Sequence, residues 1–154
     1  LAFHFQKVEK MQGSLIALYY AIAMGVDAGA ALLFGVLYDK IGMKSLVIAT
    51  ALSCLFPLFA FSSTIGGALV GVVLWGIGMG AQESIMRAAI AHFSSKDKRA
   101  TAYGLFNMVY GIAWFLGSSL FGILYGWSLP GAIVFSLLSQ IVAIPLFVLS
   151  SRVR

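Results

Sequence analysis

The sequence predicts an all-α integral membrane bundle, and three observations point to it. Apolar residues make up 61% of the 154-residue chain and charged ones only 10%, far from the roughly half-apolar, quarter-charged mix of soluble domains. Apolar runs of about 20 residues, the length that crosses a bilayer as a helix, recur along the whole length, so none reads as a removable leader on a soluble body. The runs are continuous rather than alternating, which fits helices better than barrel strands.

The elements follow in order. Residues 1–13 read as the end of a preceding helix, LAFHFQK, followed by an external loop. Five transmembrane helices are then expected over residues 14–38, 45–61, 65–91, 100–125 and 129–150. Their connections are short, so successive helices should be antiparallel neighbours. Pro57 and Pro145 fall inside runs, where membrane helices tolerate a kink. The pairs Gly67/Gly71 and Gly76/Gly80, with Gly104, Gly111, Gly117, Gly122 and Gly126, read as seams for close helix contact.

Net charge is +5, and its distribution argues against nucleic acid, since no basic stripe with interleaved aromatics lies on a water-exposed face. Lys40, Lys44, Lys96, Lys98, Arg99, Arg152 and Arg154 fall at connections that an antiparallel reading puts on one side. The other side holds the uncharged turns 62–64 and 126–128 and the leading segment with Lys7 and Lys10. The positive-inside rule makes the rich side cytoplasmic, with the C-terminus inside, as in a plasma or inner membrane. The single cysteine, Cys54, has no internal partner for a disulfide. His4 and His92 lack acidic or cysteine neighbours at ligand spacing, so neither metal nor cofactor is expected.

One stretch breaks the apolar pattern: FGVLYDKIGMKS, residues 34–45, which places Gly35, Asp39, Lys40, Gly42 and Lys44 on a turn between two membrane runs. It resembles the signature loop of the major facilitator superfamily, in which a glycine, three residues, an aspartate, a basic residue, any residue and a second glycine precede one or two basic residues. Ser45 stands at the second basic place, a mild departure. GMGAQESIMRAAIAHF and KDKRATAYGLFNMVYGIAWFLGSSLFGILYG resemble the fourth and fifth helices of a six-helix facilitator repeat, so the likeness covers nearly the whole chain. It implies the C-terminal six-helix half, lacking most of its first helix, because the chain ends at SSRVR soon after the last run. A truncated N-terminal half is the alternative. In the family two such halves rock about a site between them near mid-membrane, so the resemblance implies a lipid-embedded secondary transporter whose partner half belongs to the same polypeptide.

Within the membrane, Asp27 lies near the middle of the first full run, where a carboxylate needs a cavity, a partner or a proton. Ala17, Ala21, Gly25 and Gly29 form a small-residue ladder on another face of that helix; the ladder is expected to pack, leaving Asp27 with Tyr20 and Met24 for something polar. The functional reading makes Asp27 a proton carrier or substrate contact; the bland one pins it to a neighbouring helix or to positioning the loop. Glu83 and Arg87 stand four apart and can pair. With Asp39, Lys40 and Lys44 they read as one cytoplasmic charge cluster that holds an access state, against the plainer reading of a permanent clamp. Asn107, Gly111, Trp114 and Ser118 share a semi-polar face beside Tyr110, which with Trp75, Met79 and Gln82 is a candidate substrate surface. Gln140, on the last run, is expected to bond to a neighbouring helix.

The function expected is therefore secondary active transport of a small-molecule substrate by alternating access, proton-coupled as symport or antiport. The competing reading is a non-transporting membrane scaffold or helper subunit with a transporter-like fold. An intramembrane enzyme is disfavoured, because Ser118 and Ser119 sit in no glycine-serine-glycine elbow and the histidines are isolated.

Overall fold

A computed structural model of the chain describes residues 1–7, 12–62 and 64–151. Lys10, Arg152 and Arg154, assigned above to the two sides of the membrane, lie outside them. Among the described residues every regular element is helical: α1 (Ala2–Lys7), α2 (Gly13–Ile41), α3 (Lys44–Ser53), α4 (Phe56–Ala60), α5 (Ile65–Phe93), a 3-10 turn (Lys96–Lys98), α6 (Arg99–Trp127) and α7 (Leu129–Ser150). Four segments are long and apolar enough to cross a membrane: α2, α5, α6 with the 3-10 turn before it, and α7. The fold is an all-α membrane bundle.

Helix ends sit where the local chemistry requires them. At Gly42, φ of 61° and ψ of −143° stop α2, with the Gly42 N–H donating to the Tyr38 carbonyl at 2.7 Å. Few side chains other than glycine's tolerate that backbone. The carbonyl of Gly42 accepts from the buried Ser45 hydroxyl at 2.7 Å, which gives the serine at the departing signature position a structural task. Thr64 caps α5 by accepting from the Gly67 N–H at 3.1 Å, and Ser128 caps α7 by accepting from the Gly131 N–H at 3.2 Å.

The stretch read as one helix over 45–61 is two. Helix α3 stops at Ser53, four residues before Pro57, which has no N–H to offer the Ser53 carbonyl. Cys54 and Leu55 make the turn between α3 and α4. The proline kink expected here takes the form of a two-residue interruption, with Cys54 and Leu55 keeping right-handed helical dihedrals across it.

Helix α5 is the centre of the bundle, and its glycines explain why. A Cβ on Gly76 would stand 2.7 Å from the Ala23 carbonyl oxygen, and one on Gly80 would overlap the Asp27 carbonyl, so α2 and α5 touch backbone to backbone. Gly71 lies equally tight against the backbone of Ala60 in α4, and a Cβ on Gly78 would come within 2.8 Å of Ser53 Cβ in α3. Small residues thus gather three elements around one helix. Two apolar clusters fill the remaining space. One joins Phe5, Tyr19, Ala23, Ala68 and Val72; the other joins Ala30, Phe34, Leu46, Ala49, Ala81 and Ile85.

Two expectations about packing are corrected. The α2 face that packs carries Tyr19, Ala23, Ala30 and Phe34, the same side as Asp27, whereas Ala17, Ala21, Gly25 and Gly29 are exposed. The Gly76/Gly80 seam selected the face, because two close carbonyls of α2 meet it there. The α6 glycines make no seam within this bundle: among the described residues no atom beyond the local helix backbone lies within 4 Å of a Cβ built at Gly104, Gly111, Gly117, Gly122 or Gly126, and α6 has no buried residue. Gly67 packs against its own cap residues, Ser62 and Thr64, rather than another helix.

Candidate functional site

Asp27 enters the site through the α2 and α5 contact. Its stripe-mates Ala23 and Ala30 are buried, its carbonyl meets Gly80, and its side-chain Oδ1 is buried without a hydrogen-bond partner among the described residues. The side chain does not line the three cavities described next. Of its two helical neighbours, Tyr20 turns toward α5 and meets Trp75 edge to face, ring centres 5.9 Å apart. Met24 is 44% exposed and faces away from this bundle.

Two cavities that share lining residues lie between α7 and the α3 to α5 side of the bundle, with Trp114 of α6 in the wall of both. The first, of about 320 Å³, takes Trp75, Met79 and Gln82 from α5 and Trp114 from α6, the residues singled out as a substrate surface. It also takes Thr50 and Ser53 from beside the helix break and Gln140 from α7. The second, of about 540 Å³, shares Phe56, Trp75, Trp114, Ser139 and Gln140 with the first and adds Tyr20 and Ser118. The walls are mostly aromatic and aliphatic, with a few polar groups, the usual make-up of a small-molecule site. Gln140 does not make the interhelical bond expected of it, since its buried Nε2 has no partner among the described residues. The Ser118 hydroxyl is turned back onto the Trp114 carbonyl of its own helix.

Charges gather at the basic end. Arg87 Nη2 donates to Glu83 Oε2 at 3.0 Å, with the two side chains 69% and 46% exposed respectively. The pair borders a small cavity of about 80 Å³ with Gln82, Asn107 and Tyr110, so it faces α6. Tyr103 of α6 closes that contact by donating its hydroxyl to the Arg87 carbonyl at 2.9 Å. The signature loop reaches a neighbouring face of α5: a Cβ on Gly35 would stand 3.1 Å from Ser84 Oγ, one residue along from Glu83. Asp39, Lys40 and Lys44 are exposed and form no ion pair with each other or with Glu83 and Arg87. The seven residues therefore share one end of the bundle, with the ion pair facing α6 and Gly35 facing α5. Burial of the pair, expected from its place in an apolar run, is absent among the described residues.

Thr50, Ser53 and the unpartnered amide of Gln140 escaped the sequence reading. The available signal was Pro57, whose spacing from Ser53 marks a break beside a cavity. For Gln140 there was none, because a lone glutamine in an apolar helix reads equally as a bond to a neighbour.

These features define an integral membrane bundle whose basic end carries Asp39 on the last turn of α2, rather than on the loop expected from the sequence, with Gly42 at the turn itself and polar groups buried between spans. The chain belongs to the Major Facilitator Superfamily, a family of transporters, whose family model matches residues 2–154. It is 34% identical over 144 residues to an uncharacterized protein of Mycobacterium bovis and to two of Mycobacterium tuberculosis, covering 94% of this chain and 35% of each relative. The chain thus spans about a third of the length of these relatives. No solved structure matches it.

Proposed function

We propose that the chain is one half of a secondary active transporter that moves a small solute by alternating access, coupled to protons as symport or antiport. The rest of the same polypeptide supplies the other half, and the protein lies in a plasma or inner membrane with its C-terminus cytoplasmic. The observation that carries this reading is the Asp27 carboxyl, which has an oxygen buried without a partner among the described residues in an apolar span.

A carboxylate within a membrane span calls for a cavity, a partner or a functional role. Because the same residue lends its backbone to the α2 and α5 seam, the charge on Asp27 and the fit of the two helices influence one another. Tyr20, Gln82, Asn107 and Trp114 supply polar and aromatic contacts for the solute, and Met24 belongs to the α2 face that meets the other half. Glu83 and Arg87, with the Gly35, Asp39, Lys40, Gly42 and Lys44 loop, hold the basic end closed in one access state. The Lys40, Lys44, Lys96, Lys98 and Arg99 clustering supports the orientation.

The test uses the complete polypeptide in proteoliposomes loaded with a pH-sensitive dye and challenged with a panel of small neutral, cationic and anionic solutes. A solute that moves protons with the parent but not with Asp27→Asn supports the reading. Solute uptake with the same pH dependence in both removes Asp27 from the mechanism.

A further inference from the structure

Helix α6 has no buried residue, and among the described residues two hydrogen bonds tie it to α1–α5. The Tyr103 hydroxyl donates to the Arg87 carbonyl of α5 at 2.9 Å. The Tyr125 hydroxyl shares a hydrogen bond of 2.9 Å with His4 Nδ1 of α1. At 1.5 Å per residue the two tyrosines stand about 33 Å apart along the helix, close to the roughly 30 Å thickness of a bilayer's hydrocarbon core. One bond therefore lies near each face of the membrane.

Each bond stands where an end of the bundle would open. Arg87, whose carbonyl holds Tyr103, also pairs with Glu83 and borders the small cavity with Phe106 of α6. Tyr125 and His4 border a recess of about 420 Å³ at the opposite end, with Phe61 of the α4 turn and Phe121 of α6. Both are single bonds between uncharged groups or a neutral hydroxyl and a ring nitrogen, a class that contributes modestly to stability. A carbonyl oxygen has two lone pairs, so Arg87 keeps its place in the α5 ladder when Tyr103 lets go. Such a bond is weak enough to break within a cycle and strong enough to bias it.

We propose that Tyr103 and Tyr125 are positioning residues that set which end of α6 is closed: Tyr103 holds the basic end shut against α5, and Tyr125 holds the opposite end shut against α1. The proposal rests on the alternating-access reading above, in which the two ends open in turn. Helix α2 and helix α5 stay joined through Gly76 and Gly80, and α6 releases one hydroxyl at a time.

The test is the labelling rate of a single cysteine by a water-soluble maleimide, in the complete polypeptide held in nanodiscs with its native cysteines, Cys54 included, replaced by serine. Phe106→Cys reports on the basic end and Phe121→Cys on the opposite end. Tyr103→Phe and Tyr125→Phe each remove one oxygen atom and keep the ring. Tyr103→Phe is expected to quicken labelling at residue 106 about fivefold, the population change that one such hydrogen bond supports, and to slow it at residue 121. Tyr125→Phe is expected to do the reverse. The proposal stands if each variant quickens its near reporter without quickening the far one. A rise at both reporters is a general loosening of α6 and overturns it, as do rates that either variant leaves at the parental value. Labelling requires no solute, so failure of these ties and failure of proton-coupled transport are read separately.

Discussion

Gly80 of α5 lies against the backbone carbonyl of Asp27 of α2, so tightly that a methyl group on Gly80 would overlap the carbonyl oxygen. The seam that holds the bundle together and the acid that sets it apart are thus the same place in space. Gly80→Ala must push the helices apart, at a cost of about 1–3 kcal/mol as in other overpacked interiors. Gly25→Ala, mid-helix and with open space around its Cβ, should instead raise stability by about 0.5–1 kcal/mol, the advantage of alanine over glycine inside a helix. Thermal unfolding of the detergent-solubilised protein distinguishes the two, and equal melting temperatures would refute the seam.

Gly42→Ala should destabilise the turn by about 1–3 kcal/mol, because a φ of 61° with ψ of −143° is a region nearly confined to glycine. Asparagine, which relieves many left-handed turns, should not help, since its favoured left-handed region has ψ near +47°. Melting curves of the two variants check this; full stability of Gly42→Asn would contradict the backbone geometry.

Pro57→Ala restores a donor for the Ser53 carbonyl and should join α3 to α4 into one helix across Lys44–Ala60. Hydrogen exchange over residues 53–58 should slow by roughly tenfold or more, the change that follows when a frayed turn becomes a stable helical one. Unchanged exchange would mean that the break has another cause.

Glu83 and Arg87 are exposed enough that neutralising either one should cost less than about 1 kcal/mol of stability. Transport, on the gating role proposed here, should fall in each reversed single variant, Glu83→Arg and Arg87→Glu, and recover in the exchanged pair. Parental uptake in the singles as well as in the pair would end that role.

The helical membrane class and the family were legible because they depend on composition and on a loop whose glycines and charges stand out from an apolar background. Facing was not. Helix α2 is apolar all round and has small residues on two sides, Ala17/Ala21/Gly25/Gly29 and Ala23/Ala30/Ala31, and only the position of α5 chooses between them. Amphipathicity, which normally tells the inside of a helix from its outside, carries little information when solvent is lipid. The same difficulty hid Gln140, whose meaning depends on three other helices. Asp27 stood out in the sequence because a charge in such a run is rare, yet its place beside Gly80 required both helices.

Helix α6 is fastened near its ends. At one end His4 Nδ1 and the Tyr125 hydroxyl share a hydrogen bond of 2.9 Å and the Ser128 turn leads into α7; at the other, Tyr103 grips the Arg87 carbonyl. Between them stand glycines with empty space about them and cavities behind. The α2 and α5 pair is thus joined backbone to backbone through glycine, whereas α6 is tied to the same bundle by side-chain hydroxyls, two kinds of fastening that respond differently to substitution.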